Sequence, residues 1–102
     1  MRVADYIFES LFNQGVDKVF SVSGRGALFL TDAVARAKDR IEYVGVHHEQ
    51  AAGFAAIAYA EVKNNYGVAL VSTGCASTNL MTAVLCAWQD SIPVVFISGQ
   101  NT

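Results

Sequence analysis

The sequence predicts an α/β domain, a doubly wound parallel sheet with flanking helices, and three observations carry that expectation. Helix-periodic and strand-like segments alternate along the chain in the order α-β-α-β-α-β-α-β. The last two strand-like segments, Gly67 to Val71 and Val94 to Ile97, are unbroken apolar runs rather than alternating ones. That is the pattern of parallel strands covered on both faces. Glycine and uncharged polar residues concentrate in the four segments that follow strands, while the other connections carry surface residues such as Lys38-Asp39-Arg40 and Lys63-Asn64-Asn65.

The elements follow in order. Residues 3–14 read as an amphipathic helix with Ala4, Ile7, Phe8, Leu11 and Phe12 on one face, stopped by Gly15. Lys18 to Val22 reads as a strand and Ser23 to Gly26 as a turn. Ala27 to Ala37 is a second helix with Leu30, Val34 and Ala37 in register and Asp32 four residues before Arg36. Ile41 to Val46 is a second strand. His48 to Lys63 is a third helix, dense in alanine, with almost no polar face through its middle. Such a helix is either a central core helix or one at a subunit interface, and the small number of surrounding elements favours the interface. Ser77 or Thr78 is a candidate cap for a fourth helix running to about Gln89, with Met81, Val84, Leu85 and Trp88 on one face. Pro93 opens the last strand.

The chain has 102 residues, enough for one small domain, and no linker, repeat or low-complexity segment divides it. It is 53% hydrophobic and 16% charged. In so small a chain that excess of apolar residues points to surface meant for a partner. A net charge of −2 without a basic cluster argues against nucleic-acid binding. No apolar run approaches the ~18 residues that cross a membrane, and Arg2, Asp5 and Glu9 spoil a secretory signal. Cys75 and Cys86 lack metal-site spacing and fit reduced thiols in a cytoplasmic protein. The last strand is followed directly by Asn101-Thr102, with no closing helix, which reads as a truncation.

In open parallel sheets ligands bind beyond the carboxyl ends of the strands. Here those ends deliver residues 21–26, His47-His48-Glu49-Gln50, residues 72–79 and Ser98-Gly99-Gln100-Asn101. Several simple motifs fail within them. Gly24-Arg25-Gly26 starts a dinucleotide fingerprint whose third glycine position is Phe29, and no phosphate-binding GxxxxGK[ST] loop occurs. His47, His48 and Glu49 are adjacent, so they diverge and make no metal site alone. Cys75 has no evident base and reads as a small buried thiol. Glu49 is either functional or an acid placed in a first helical turn by the helix dipole.

Taken together, the same loops resemble the N-terminal pyrimidine-binding (Pyr) domain of the acetolactate synthase, pyruvate oxidase and benzoylformate decarboxylase superfamily, closest to acetolactate synthase-like members. Residues 19–27 are similar to that family's VFGYPGGA, residues 48–52 to its HEQ-A-A, and Tyr59-Ala60 to its GYAR. Residues 72–79 are similar to TSGPGATN, residues 90–95 to DSVPVV and residues 98–100 to TGQ. The resemblance spans the whole chain at family spacing.

It implies the thiamine-diphosphate-binding fold, with residues 1–102 as the N-terminal part of the Pyr domain. It implies that Glu49 hydrogen-bonds N1′ of the aminopyrimidine of thiamine diphosphate and activates the cofactor for attack on a 2-oxo acid such as pyruvate. Val22, Ser23, Gly24, Thr73 and Asn79 would surround the pyrimidine. Mg²⁺ and the diphosphate would be held by a GDG…N motif that this chain lacks, FAD is an optional family addition, and subunits would pair as a homodimer or tetramer through the Pyr domain. The chain alone is then expected to be inactive. Ser23-Gly24-Arg25 in place of Pro-Gly-Gly, and Cys75-Ala76 in place of Pro-Gly, depart from a true acetolactate synthase. Arg25 either meets an anionic or sugar-nucleotide substrate or faces solvent. A non-catalytic binding or regulatory module that retains the fold is the alternative, followed by a nucleotide-binding α/β domain.

Overall fold

A computed structural model describes residues 1–100. The elements are α1 (Val3–Asn13), β1 (Lys18–Ser21), a 3₁₀ turn (Arg25–Ala27), α2 (Leu28–Arg36), β2 (Glu42–Gly45), α3 (Glu49–Lys63), β3 (Gly67–Val71), α4 (Cys75–Thr78), α5 (Met81–Gln89) and β4 (Val94–Ser98). The four strands form one parallel sheet in the order β2-β1-β3-β4. The expected doubly wound α/β sheet is therefore present. Gly15 closes α1 with φ of 95° and an N–H bonded to Phe12 O, the stop that glycine permits.

Helices cover both faces. On one side α1 and α2 pack Phe8, Val34 and Ala33 against Val19, Val68 and Leu70. On the other, α3 sets Ala52 and Ala56 against Ala69 and Val71, with α5 alongside. Every residue of β3 is buried, whereas β4, at the sheet edge, is only half-buried. The covered-strand reading holds for β3 and in part for β4.

Backbone proximity explains two glycines. A Cβ on Gly67 would sit 2.0 Å from Ala56 O, so α3 can lie this close to β3 only over a bare backbone. A Cβ on Gly53 would meet Ala83 Cβ at 2.4 Å, which sets how closely α3 and α5 approach. At the amino edge of the sheet, the Tyr59 hydroxyl donates to the Asp17 carboxylate and ties α3 to the start of β1. Burial and this contact raise the Tyr59 pKa, burial being the larger cause.

Two expectations need correction, and a third face finds its direction. α3 is not apolar-buried all round: Ala52, Gly53, Ala56, Ile57, Tyr59 and Ala60 face inward, but Ala51, Phe54, Ala58 and Val62 are exposed. Its apolar residues therefore form one face buried against the sheet and one exposed face. The face of α5 bearing Met81, Val84, Leu85 and Trp88 is correct in register but points outward, with Trp88 81% exposed. Its inward face is Leu80, Ala83 and Ala87, small residues suited to the close approach of α3. The expected fourth helix, capped at Ser77 or Thr78, instead begins at Met81 and follows a separate turn. A single turn, α4, starts at Cys75, and α5 starts at Met81 with no side-chain cap, so neither Ser77 nor Thr78 caps it. Instead Thr78 Oγ1 donates back to Cys75 O at 2.7 Å.

Candidate functional site

The sheet order reverses between β1 and β3. The chain runs outward from β1 to β2, and α3 then carries it back across β1 to β3. The carboxyl ends of strands at such a switch point diverge and leave a crevice. Its rims here are the β1 loop, the N-terminus of α3, and the loop from β3 into α4.

Glu49 is the first residue of α3. His48 caps that helix: its Nδ1 accepts from the Gln50 backbone N–H at 3.0 Å, satisfying an amide that the helix itself leaves unpaired. Asn79 follows α4 and donates from Nδ2 to Glu49 Oε1 at 3.0 Å. This bond is the main reason the Glu49 pKa lies below the ordinary carboxyl value. Partial burial opposes it, while the helix's own backbone N–H and His48 reinforce it.

The β1 loop is locked against the β3 and β4 loops. Gly26 N donates to Ser72 Oγ at 3.1 Å. A Cβ on Gly24 would lie 2.6 Å from Ser72 Cβ, one on Gly26 2.2 Å from Thr73 Cγ2, and one on Gly99 1.9 Å from Gly26 O. Next to this contact lies an open hollow of about 340 Å³ lined by Thr73, Gly74, Ser77, Ser98, Gly99 and Gln100. Ser77 and Ser98 hydroxyls pair at 2.5 Å, and Ser98 Oγ donates to Ser72 O at 2.9 Å. Gly74 takes φ of 56°, and a Cβ there would meet no atom within 4 Å.

Of the sequence-expected site residues, Glu49 and Asn79 are in direct contact. Gly24 and Thr73 stand on either side of the locked β1–β3 contact. Val22 and Ser23 share that loop but, among the described residues, make no hydrogen bond to Glu49. Asn101, grouped with the β4 loop, lies outside the described residues. Sequence reading passed over Ser72, Ser77, Gly99 and Gln100 as individual site residues; their shared position after β3 and β4 was the available signal. Cys75, expected to be buried, is exposed, because α4 is a single surface turn. Another hollow, of about 320 Å³ between α1 and α2, is lined by Asp5 and Arg36, which pair with each other at 3.3 Å. Their charges are already satisfied, and the hollow lies away from the carboxyl edge.

The model of the thiamine pyrophosphate enzyme, N-terminal TPP binding domain, matches residues 1–102. The chain is 40% identical over 97 residues to the acetolactate synthase large subunit of Buchnera aphidicola subsp. Schizaphis graminum, covering 95% of this chain and 17% of that protein. It is 40% identical to the acetolactate synthase isozyme 3 large subunit of Escherichia coli, with the same coverage. It is 41% identical to an acetolactate synthase of Mycobacterium bovis, covering 95% of this chain and 16% of that protein. The chain spans less than a fifth of the length of these relatives. It belongs to the thiamine pyrophosphate enzyme family, as an acetolactate synthase-like N-terminal TPP binding domain.

Proposed function

We propose that this domain supplies the aminopyrimidine half of a thiamine diphosphate site in an acetolactate synthase-like carboligase or decarboxylase that acts on a 2-oxo acid such as pyruvate. The observation that carries the reading is the Glu49–Asn79 pair. It presents an ionised carboxylate at a helix N-terminus, oriented by an amide, on the rim of the switch-point crevice.

The donor set fits the group. An aminopyrimidine offers ring nitrogens and an exocyclic amine to a carboxylate, a hydroxyl and backbone groups. Glu49, Thr73 and the glycine-rich β1 and β3 loops provide these, with open space over Gly74. When bound, the cofactor supplies the electron sink for decarboxylation. Glu49 would share a proton with a ring nitrogen, Asn79 would hold its carboxyl in place, and the loop at Val22, Ser23 and Gly24 would bound the ring. We infer that Mg²⁺ and the diphosphate are held outside these residues, and that the enzyme works in the cytosol.

The exposed apolar face supports pairing of subunits through this domain. Met81, Val84, Leu85 and Trp88 line a shallow groove of about 530 Å³, and Phe54 and Val62 are exposed on neighbouring α3. A partner laid over the crevice would also desolvate Glu49. Desolvation raises a carboxyl pKa, bringing it toward that of the ring nitrogen with which it shares a proton.

Glu49→Gln in the intact protein tests the role. C2 proton exchange of bound cofactor is expected to stop while cofactor binding is largely kept. Exchange at the wild-type rate in the variant would overturn the assignment. A wild-type protein without exchange would support the non-catalytic module instead.

A further inference from the structure

We propose that the Ser77–Ser98 hydroxyl pair is a clamp that positions Asn79, and through it the Glu49 carboxyl, in place of the proline that the similar motif carries where this chain has Cys75. Its bearing on catalysis rests on the thiamine diphosphate reading above.

Asn79 is exposed, and its side-chain amide donates to Glu49. What aims that amide is the turn that carries it. Leu80 N donates to Ser77 O at 3.0 Å, so Asn79 lies inside a turn with Ser77 at one end and Leu80 at the other. Leu80 is buried in the core between α3 and β3, which fixes its end. The Ser77 end belongs to α4, none of whose residues is buried. Thr78 N bonds Gly74 O, Asn79 N bonds Cys75 O, and Thr78 Oγ1 bonds Cys75 O. These local bonds shape the turn without anchoring it. Ala76 packs half-buried on the core, a contact without direction. Among the described residues, the side-chain hydrogen bond that ties α4 to another element is Ser77 to Ser98, at the end of β4.

The tie has a donor and an acceptor. Ser98 Oγ lies 2.5 Å from Ser77 Oγ, 2.9 Å from Ser72 O and 3.0 Å from Gly99 O. A hydroxyl has a single proton and a carbonyl can only accept. The Ser98 proton therefore goes to a carbonyl, and Ser77 donates to Ser98. Ser98 has to donate and accept at once. Threonine can do the same; valine, of the same shape, cannot.

The departures from TSGPGATN fall on this turn. Cys75-Ala76 replaces Pro-Gly, and Ser77 replaces alanine. Proline fixes its own φ, and that stiffness is absent here. The added hydroxyl of Ser77 holds from the side a turn that the chain no longer stiffens along its length. Cys75 is the first residue of α4, a position where proline is tolerated because its N–H has no partner within the helix.

The test follows the Glu49 titration by side-chain carboxyl NMR in the intact protein. The Asn79 bond is the largest cause of the lowered Glu49 pKa, so loosening Asn79 raises the midpoint. His48, the other side chain that lowers it, is held on α3 by the Gln50 N–H and is untouched by these changes. Ser77→Ala and Ser98→Val are each expected to raise the midpoint, and Ser98→Thr to keep it. Cys75→Pro added to Ser77→Ala should restore it. In an Asn79→Ala background, Ser77→Ala should move it no further, because the effect runs through Asn79. C2 proton exchange of bound cofactor is expected to fall about threefold or more in Ser98→Val, the effect of one weakened hydrogen bond, and to be kept in Ser98→Thr. An unmoved midpoint in both Ser77→Ala and Ser98→Val overturns the clamp, and a failed rescue by Cys75→Pro overturns its standing in for proline. Absence of C2 exchange in wild type overturns the cofactor reading instead, and the titrations still decide whether the clamp positions Glu49.

Discussion

Asn79 donates a 3.0 Å hydrogen bond to Glu49 across thirty residues of sequence, joining the turn after α4 to the first residue of α3. It ties the N-terminus of α3 to the segment that follows β3, and it is the largest cause of the lowered Glu49 pKa. Asn79→Ala is expected to raise the Glu49 titration midpoint, read by NMR of the side-chain carboxyl. The bond is half open to water, so its loss costs about 1 kcal/mol or less. The pH dependence has a definite sign. A depressed folded pKa stabilises above the unfolded value of 4.5 and is lost as pH falls through the folded value. Wild type and variant should therefore differ in melting temperature at neutral pH and converge in acid.

Close approach of α3 to β3 makes Gly67→Ala a severe change. The added methyl would press on Ala56 O, and backbone on both sides leaves nothing flexible to yield. A loss of about 3 kcal/mol or more is expected in the denaturant midpoint. Gly53→Ala meets the side chain of Ala83 instead, so its loss should be smaller, about 1–2 kcal/mol.

Tyr59→Phe separates a structural tie from the site. The hydroxyl's contact with Asp17 lies at the opposite end of α3 from Glu49. Its removal should cost about 1 kcal/mol of stability and leave the Glu49 titration where it was.

Trp88→Glu probes the outward face of α5. Trp88 contributes little to the fold of its own chain, being 81% exposed. If subunits pair through this face, the substitution should shift the intact protein to smaller species in analytical ultracentrifugation, with secondary structure retained by circular dichroism. An unchanged sedimentation profile would assign the pairing to another surface.

Much of this fold was legible because its signals are local. Helical periodicity located α1, α2, α3 and α5, and the apolar run of Gly67 to Val71 announced a buried strand. The place of Glu49 at a strand-to-helix junction was legible, and the structure puts it at the first residue of α3. Asn79 as its partner was not legible from the residues alone, since nothing local links positions thirty apart; the family resemblance put both around one ring without stating their contact. The break between α4 and α5 was hidden too, because Cys75 to Gln89 has no glycine after Gly74 and no proline to mark an interruption.

The sequence by itself determined the class of fold, the family, and the sheet edge at which a candidate site was sought. These depend on periodicity and on motif residues at fixed spacing. Only the tertiary structure decided which way the apolar faces point and which groups surround the Glu49 carboxyl. An apolar stripe reads the same whether it meets its own sheet or a second protein, since both exclude water. A carboxyl pKa depends on which donors and how much solvent surround it, and chain folding brings those together from distant positions.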